Sequence, residues 1–136
     1  MVAFNRTVTI KTTAQLQLID ITEDALKFVN DCRIRDGLLT VSVSHATAAV
    51  IVNEHEGGLM HDMLAKIEDL FPESAKYLHD RIDDNARSHI AAAFLGHSRS
   101  FPIVNHQLIR GTWQNIFVVE LDGPRSHRSV NLTIVG

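Results

Sequence analysis

The sequence predicts an α+β fold in which a mixed β-sheet curls into a barrel together with three helices. Residues 2–10 and 128–135 alternate between apolar and polar side chains, which is typical of half-buried strands. Segments with helical periodicity lie between these two ends. The 136 residues, 45% of them apolar, suit a single domain spanning residues 1–136 with a substantial core.

The N-terminal segment predicts two strands. Residues 2–10 form the first, and Leu16 and Leu18, which alternate with glutamines, indicate the second. The short connection at Thr12 and Thr13 would allow the two strands to pair as a hairpin.

Three helices are predicted from apolar residues spaced three and four apart. An N-cap residue or a glycine pair marks where a helix begins, and a proline or glycine marks where it ends. Their predicted limits are Thr22 to Gly37, Gly57 to Pro72, and Asp84 to Leu95.

The remaining strands follow from short apolar or alternating runs. Residues 38–52 indicate either one bent strand or two strands around His45, and Ala48–Val52 has the composition of a strand buried on both faces. Three more strands are predicted near residues 101–104, 115–121 and 128–135. The expected order is ββαββααβββ, give or take one strand.

Charge and motif content exclude several classes of protein. The net charge of −3 supplies no basic field for nucleic acid or an acidic membrane. No apolar run approaches the roughly 20 residues that span a bilayer, and the first ten residues alternate rather than forming an apolar leader. We therefore expect a cytoplasmic protein that binds neither nucleic acid nor membranes. The common nucleotide-binding, hydrolase and zinc-protease motifs are absent.

Several of the eight histidines are candidate site residues. His45 lies between two strand segments, and Asn85 and His89 lie four apart on one helix face. His45, His79 and His89 would supply three ligands to a divalent metal such as zinc, although their spacing matches no established metal motif. The alternative is that each is a structural histidine, bonded to the backbone or exposed.

The segment "RGTWQNIFVVELDGPRSHR" is the densest in polar groups. By strand periodicity Gln114, Glu120 and Asp122 share one face. The turn that follows delivers Arg125 and Arg128 side by side, which would clamp a phosphate or carboxylate. The alternative is a hairpin turn with solvated charges. In the second helix, Asp62 is either a site carboxylate or a solvated partner of Lys66.

Four segments together resemble the YjbQ-like family, which is associated with a secondary thiamine-phosphate synthase activity. They are "GLLTVSVSHATAAVIVNE", "YLHDRIDDNARSHIAAAFLGHS", "GTWQNIFVVELDGPR" and the closing "VNLTIVG". The resemblance covers nearly the whole chain. It implies a small α+β fold around a mixed barrel, assembly as a homotrimer, and ligand sites near subunit boundaries.

The resemblance also implies the site residues. His79 and Asp122 lie at positions that match the family pattern, and so do most of the residues named next. We expect catalytic roles for His45, Asp62, His89 and Arg125, and substrate binding by Thr47, Asn53, Glu54, Asn85, Ser98, Trp113, Gln114, Glu120 and Arg128. Two positions depart from the family pattern, at His106 and at His127, and the second would weaken the anion clamp.

Three functions are compatible with these features of the sequence. The first is a transferase that joins a pyrimidine-methyl diphosphate to a thiazole phosphate and releases pyrophosphate, with a divalent cation, zinc or magnesium, as a candidate cofactor. The second is a metal-binding protein or metal-dependent hydrolase of another phosphorylated metabolite. The third is a non-enzymatic trimer that binds a small anion.

Overall fold

The computed structural model describes residues 1–136 and consists of eight strands, three α-helices and one short 3-10 helix. The strands are β1 (Ala3–Ile10), β2 (Gln17–Asp20), β3 (Gly37–Val43), β4 (Ala48–Asn53), β5 (Ser98–Val104), β6 (Gln107–Leu108), β7 (Asn115–Glu120) and β8 (Arg128–Val135). The helices are α1 (Thr22–Cys32), α2 (Gly57–Leu70) and α3 (Ala86–Leu95), with the 3-10 helix at Leu78–Arg81. The predicted α+β class with three helices is confirmed.

The strands form two curled sheets that together make a half-barrel. The larger sheet has the order β1-β8-β3-β5-β6 and the smaller one β2-β7-β4. Every pairing is antiparallel, so the expected mixed sheet is corrected to two antiparallel ones. The predicted order lacks two short elements, the two-residue strand β6 and the 3-10 helix.

The core lies between the two sheets, and a second apolar layer lies under two helices. Alternate residues of β7 point to opposite sides: Ile116 and Val118 face the larger sheet and α1, whereas Phe117 and Val119 face α2 and α3. Strand β7 is therefore buried on both faces, and β4 is buried in the same way at residues 48–50. This arrangement explains why these two strands read as solid apolar runs.

The predicted hairpin between the first two strands is wrong. Strand β1 pairs with β8, and β2 pairs with β7, so the two belong to different sheets. The intervening residues cross from one sheet to the other, and the backbone N–H of Thr12 donates to the carbonyl of Arg125. Residues 38–52 likewise form two strands in different sheets, and His45 lies in the connection.

The first helix is shorter than predicted, and its cap differs. Ile21 occupies the N-cap position, and the carboxylate of Asp20 accepts from both the backbone N–H and the hydroxyl of Thr22. The helix ends at Cys32 because Arg33 adopts a left-handed conformation with φ 56°. No helix in the structure is long and apolar enough to cross a membrane.

Candidate functional site

A cavity of about 410 Å³ opens between the β3–β4 connection and helix α3. Three imidazoles line it, from His45 in the connection, His89 on α3, and His97 just after α3. The rest of the wall consists largely of small residues, Ser44, Ala46, Ala48, Ala92 and Ala93, with Val43. The small side chains on α3 leave room for a ligand to approach the three rings.

Backbone hydrogen bonds explain how the three histidines converge. The carbonyl of Gly96 accepts from the N–H of Val50, and the carbonyl of His97 accepts from the N–H of Val43. The end of α3 is thereby tied to both strands that flank His45. His89 lies two helical turns earlier on α3, on the face that points into the cavity.

His45 is held as a neutral imidazole. Its Nε2 accepts a hydrogen bond of 2.8 Å from the backbone N–H of Ser129, and an acceptor nitrogen carries no proton. Burial lowers the pKa of His45, and the positive charges of Arg128 and Arg125 lower it further. The proton of the neutral ring therefore lies on Nδ1, which is available as a hydrogen-bond donor.

Behind the cavity lies a buried ion pair between Glu120 and Arg128. The two residues are 0% and 3% exposed, and their side chains meet at 2.5 Å. The guanidinium also donates to the carbonyl and the hydroxyl of Thr47, and the hydroxyl of Thr12 donates to Glu120 at 2.6 Å. Burial alone would raise the pKa of Glu120, but the hydrogen bonds from Arg128 and Thr12 lower it below its usual value.

Thr47, Glu120 and Arg128 were predicted to bind substrate, and in this structure they form one buried cluster. All three side chains are buried and bonded to one another, so none is presented to a ligand. Their contacts fix the segment that holds His45, because Arg128 binds Thr47, and Ser129, the residue after Arg128, binds the His45 ring. The three are therefore positioning residues.

Arg125 does not form the predicted arginine clamp with Arg128, because Arg128 is buried. Its guanidinium donates to the carboxylate of Asp122 at 2.9 Å, and its side chain is 47% exposed. Asp122 also accepts from the amide of Asn85 at 2.8 Å, and the oxygen of that amide contacts Nε2 of His79 at 3.0 Å. A hydrogen-bonded chain thus runs from Arg125 to His79 along one side of α3.

The predicted metal ligands do not assemble into a metal centre within this chain. The rings of His79 and His89 pack edge to face with centroids 4.8 Å apart, while the Nε2 of His45 is occupied by a backbone N–H. No group of three His, Cys, Asp or Glu side chains is placed to hold a metal ion. Zinc sites need at least three such ligands, and a single chain does not bring three of them together.

Four predicted substrate-binding residues lie far from the histidine cavity. Asn53 is the last residue of β4, at the end away from the cavity, and Glu54 follows it. Trp113 and Gln114 precede β7, where Asn115 pairs with Asn53. The six residues of β7 put that end about 17 Å from Glu120. Trp113 is 70% exposed there, and the side chain of Gln114 only closes a turn by accepting from the N–H of Gly111.

Asp62 and Ser98 also do not line the cavity. The apolar stripe of α2, which includes Met60, Leu64 and Ile67, faces the smaller sheet and leaves the Asp62 side chain 80% exposed. Asp62 is thus an exposed carboxylate outside the cavity, and its catalytic role stays a prediction. Ser98 begins β5 opposite Ser42 and is half-buried beside the cavity wall.

Sequence reasoning missed two of the residues that line the cavity, Ser44 and His97. His97 follows the glycine that ends α3 and precedes β5, a position where a polar residue is unremarkable in sequence. The sequence does contain one indication that these two residues belong to the site. Each is next to a predicted site residue, Ser44 to His45 and His97 to Ser98.

The sequence of this chain is similar to those of proteins from archaea and bacteria. A protein of Methanothermobacter thermautotrophicus described as a UPF0047 protein is 38% identical over all of this chain and 94% of its own length. The UPF0047 protein YugU of Bacillus subtilis is 32% identical over 89% of this chain and 92% of its own.

Solved structures share the fold. A crystal structure from Sulfolobus solfataricus, described as a YbjQ-like protein of unknown function, superposes with a TM-score of 0.97 at 45% identity and covers 98% of this chain and 97% of its own. One from Clostridium acetobutylicum has a TM-score of 0.90 at 34% identity, covering 96% and 99%. The family model for UPF0047 protein YjbQ-like matches residues 6–136. The chain therefore belongs to the YjbQ-like, UPF0047 family.

Proposed function

We propose that the histidine cavity binds a diphosphate-bearing metabolite and catalyses the transfer performed by a secondary thiamine-phosphate synthase. In this reaction a thiazole phosphate attacks a pyrimidine-methyl diphosphate, and pyrophosphate leaves. The observation that carries the proposal is the convergence of His45, His89 and His97 on one cavity beside small residues. The four-segment resemblance to the family supplies the identity of the reaction.

The electrostatics of the cavity suit a leaving group of high negative charge. Nδ1–H of His45 is a fixed donor, because the bond from Ser129 holds the ring in one tautomer and orientation. His89 and His97 add two further imidazoles to the wall of the same cavity. Preorganised donors of this kind stabilise charge that develops in a transition state.

The chemical step requires no covalent nucleophile from the protein. The bond between the methylene carbon and the diphosphate oxygen breaks, and its electron pair leaves with pyrophosphate. The lone pair of the thiazole nitrogen forms the new carbon–nitrogen bond. His45 donates a hydrogen bond to the departing oxygen, and His89 contacts the same phosphate group from the opposite wall. The polar chain from His79 to Arg125 holds the start of α3, and with it His89, in register.

The homotrimer belongs to the same proposal. Leu78 begins the 3-10 helix that packs on α3, and Ile82 follows that helix; they are 74% and 86% exposed, while Phe94 on α3 is 78% exposed. Exposed apolar side chains of this size favour a covered surface in the assembled protein. Light scattering on purified protein should give a mass of about 46 kDa, three times that of the 15.2 kDa chain, and a mass near 15 kDa would contradict this part of the proposal.

The decisive experiment measures thiamine phosphate formed from the two substrates by untagged protein, with and without added magnesium. His89→Ala should lower kcat by about 100-fold, the typical cost of losing one preorganised donor. His61→Ala is the matched control, because His61 is an α2 histidine whose side chain is 83% exposed.

Two results would contradict the proposal. If wild-type protein forms no thiamine phosphate but binds pyrophosphate, the chain is a non-enzymatic anion-binding protein. If it forms the product and His89→Ala is as active as His61→Ala, the reaction takes place elsewhere on the protein.

A further inference from the structure

A carboxylate–imidazole dyad lies at the opposite end of the smaller sheet from the histidine cavity. Nδ1 of His55 and the carboxylate of Asp20 are 2.6 Å apart. That carboxylate also accepts from the amide of Asn115 at 2.7 Å and twice from Thr22. Burial raises the pKa of Asp20, but these hydrogen bonds outweigh it and hold the pKa at about 2. Asp20 is thus ionised and fixed in orientation.

The ionised carboxylate determines which nitrogen of His55 carries the proton. An ionised carboxylate only accepts hydrogen bonds, so Nδ1 is the donor and the neutral ring presents a lone pair on Nε2. Nε2 lies on the side of the ring away from Asp20. The ring packs against Phe117 with centroids 5.4 Å apart, and the side chain is 50% exposed. His55 is therefore a supported and accessible proton acceptor.

An apolar cavity of about 300 Å³ shares this face of the sheet. Six of its eight lining residues are hydrophobic, among them Ile51 and Met63, and the two polar ones are Asn53 and Lys66. In the sheet register Asp20 lies opposite Phe117, and Phe117 lies opposite Ile51, so the three side chains share one face. The His55 ring, which packs against Phe117, therefore lies on the same face of the sheet as the cavity.

The two polar residues of the cavity are suited to stabilise an oxyanion. The amide oxygen of Asn53 accepts from the N–H of Glu54, which leaves its Nδ2 as the group available to a ligand. Lys66 adds an ammonium on the same wall. An amide N–H and a positive charge are the donors that hold a developing alkoxide in acyl transfer.

We propose that this surface is a second, catalytic site, at which His55 acts as general base in the hydrolysis of small carboxylic esters with an apolar acyl chain. Asp20 is its positioning residue. The acyl chain occupies the apolar cavity, and the carbonyl oxygen faces Asn53 and Lys66. A neutral substrate fits better than an anion, because the fixed negative charge of Asp20 lies directly behind the imidazole.

The reaction balances with water as its only co-reactant. Nε2 of His55 takes a proton from water as the water oxygen bonds to the carbonyl carbon, and the carbonyl π pair moves onto the oxygen that Asn53 and Lys66 hold. The intermediate collapses, the bond to the alcohol oxygen breaks, and the proton on Nε2 passes to the departing alcohol. The products are a carboxylic acid and an alcohol, and the imidazole is regenerated.

The test measures hydrolysis of p-nitrophenyl butyrate and p-nitrophenyl acetate by the purified full chain. His55→Gln should lower kcat/KM for the butyrate by about 100-fold, the usual contribution of a general base. His61→Gln, with an exposed histidine, is the matched control and should leave the rate unchanged. The melting temperature of each variant checks that it is folded.

Two more variants separate this site from unspecific imidazole catalysis. Asn53→Ala should lower kcat with little change in KM, as expected for a group that acts in the transition state. Leu70→Lys, at a cavity residue that is 60% exposed, should remove the preference for butyrate over acetate, expected to be about tenfold from two added methylene groups.

Three outcomes would overturn the proposal: a wild-type rate no higher than that of free imidazole at equal concentration, equal rates for His55→Gln and His61→Gln, or a butyrate preference that survives Leu70→Lys.

Discussion

Replacing Arg128 with methionine should destabilise the protein strongly, because it leaves Glu120 buried without its cation. Arg128 supplies three of the close contacts to that carboxylate, two from Nε and one from a terminal nitrogen at 2.5 Å. Only the hydroxyl of Thr12 and the backbone N–H of Asp122 remain as donors. Glu120 is completely buried, so water does not replace the lost partner.

The expected magnitude follows from the cost of breaking a buried pair. Removing one partner of such a pair costs about 3–5 kcal/mol. The unfolding entropy of a chain of this length is about 290 cal/mol/K near 60 °C, so the melting temperature should fall by roughly 10–17 °C. Without Arg128, burial raises the pKa of Glu120. The loss should therefore be largest at pH 7 and smaller near pH 4, where the carboxyl is neutral.

Thermal unfolding followed by circular dichroism at pH 7 and pH 4 measures this. Arg35→Met is the matched control, since it removes a guanidinium whose side chain is 71% exposed and whose ion pair should contribute less than about 1 kcal/mol. The double variant Glu120→Gln with Arg128→Met should recover part of the loss. Two results would contradict this prediction: a melting temperature of Arg128→Met that is lower than wild type by less than about 4 °C, or a double variant that is no more stable than the single one.

Three further predictions concern other contacts. The pKa of Asp20 is lower in the folded than in the unfolded chain, so Asp20 contributes stability above about pH 4 that is lost as pH falls toward 2. Asp20→Asn should remove about 2 kcal/mol of this pH dependence in acid unfolding curves. Parallel curves for the variant and the wild type would contradict the prediction. Gly123→Ala should lower the melting temperature by several degrees, because the added Cβ would lie 2.2 Å from the carbonyl oxygen of Ala14; an unchanged melting temperature would show that the turn relaxes. Mass-spectrometric metal analysis of untagged protein should find far less than one zinc per chain, and one equivalent that is lost in His89→Ala would show that ligands assemble in a way the single chain does not.

Local periodicity predicted most elements of the fold but not their partners. The alternation at residues 2–10 and 128–135 marked both strands, yet their pairing joins the two ends of the chain, and no local pattern encodes such a contact. The hairpin predicted at Thr12 failed because the nearest strand in sequence is not the nearest in space. The apolar run at residues 48–52 was predicted to be buried on both faces, and this is correct for residues 48–50, whereas Ile51 and Val52 are half-buried.

The candidate site was predicted in part, and one error was avoidable. Arg128 has the same strand parity as Val130, Leu132 and Ile134, so alternation already put its side chain on the core face, beside Glu120. Reading it as a surface clamp ignored that parity. The sequence could not show that Trp113 lies far from His45, because this distance depends on which end of β7 is near each residue.

The most direct test of the histidine cavity is a titration with pyrophosphate followed by imidazole resonances in nuclear magnetic resonance. Signals of His45, His89 and His97 should shift together and saturably, while that of the exposed His61 should stay in place. Shifts confined to other histidines, or none at all at millimolar pyrophosphate, would contradict the assignment of this cavity as the substrate site.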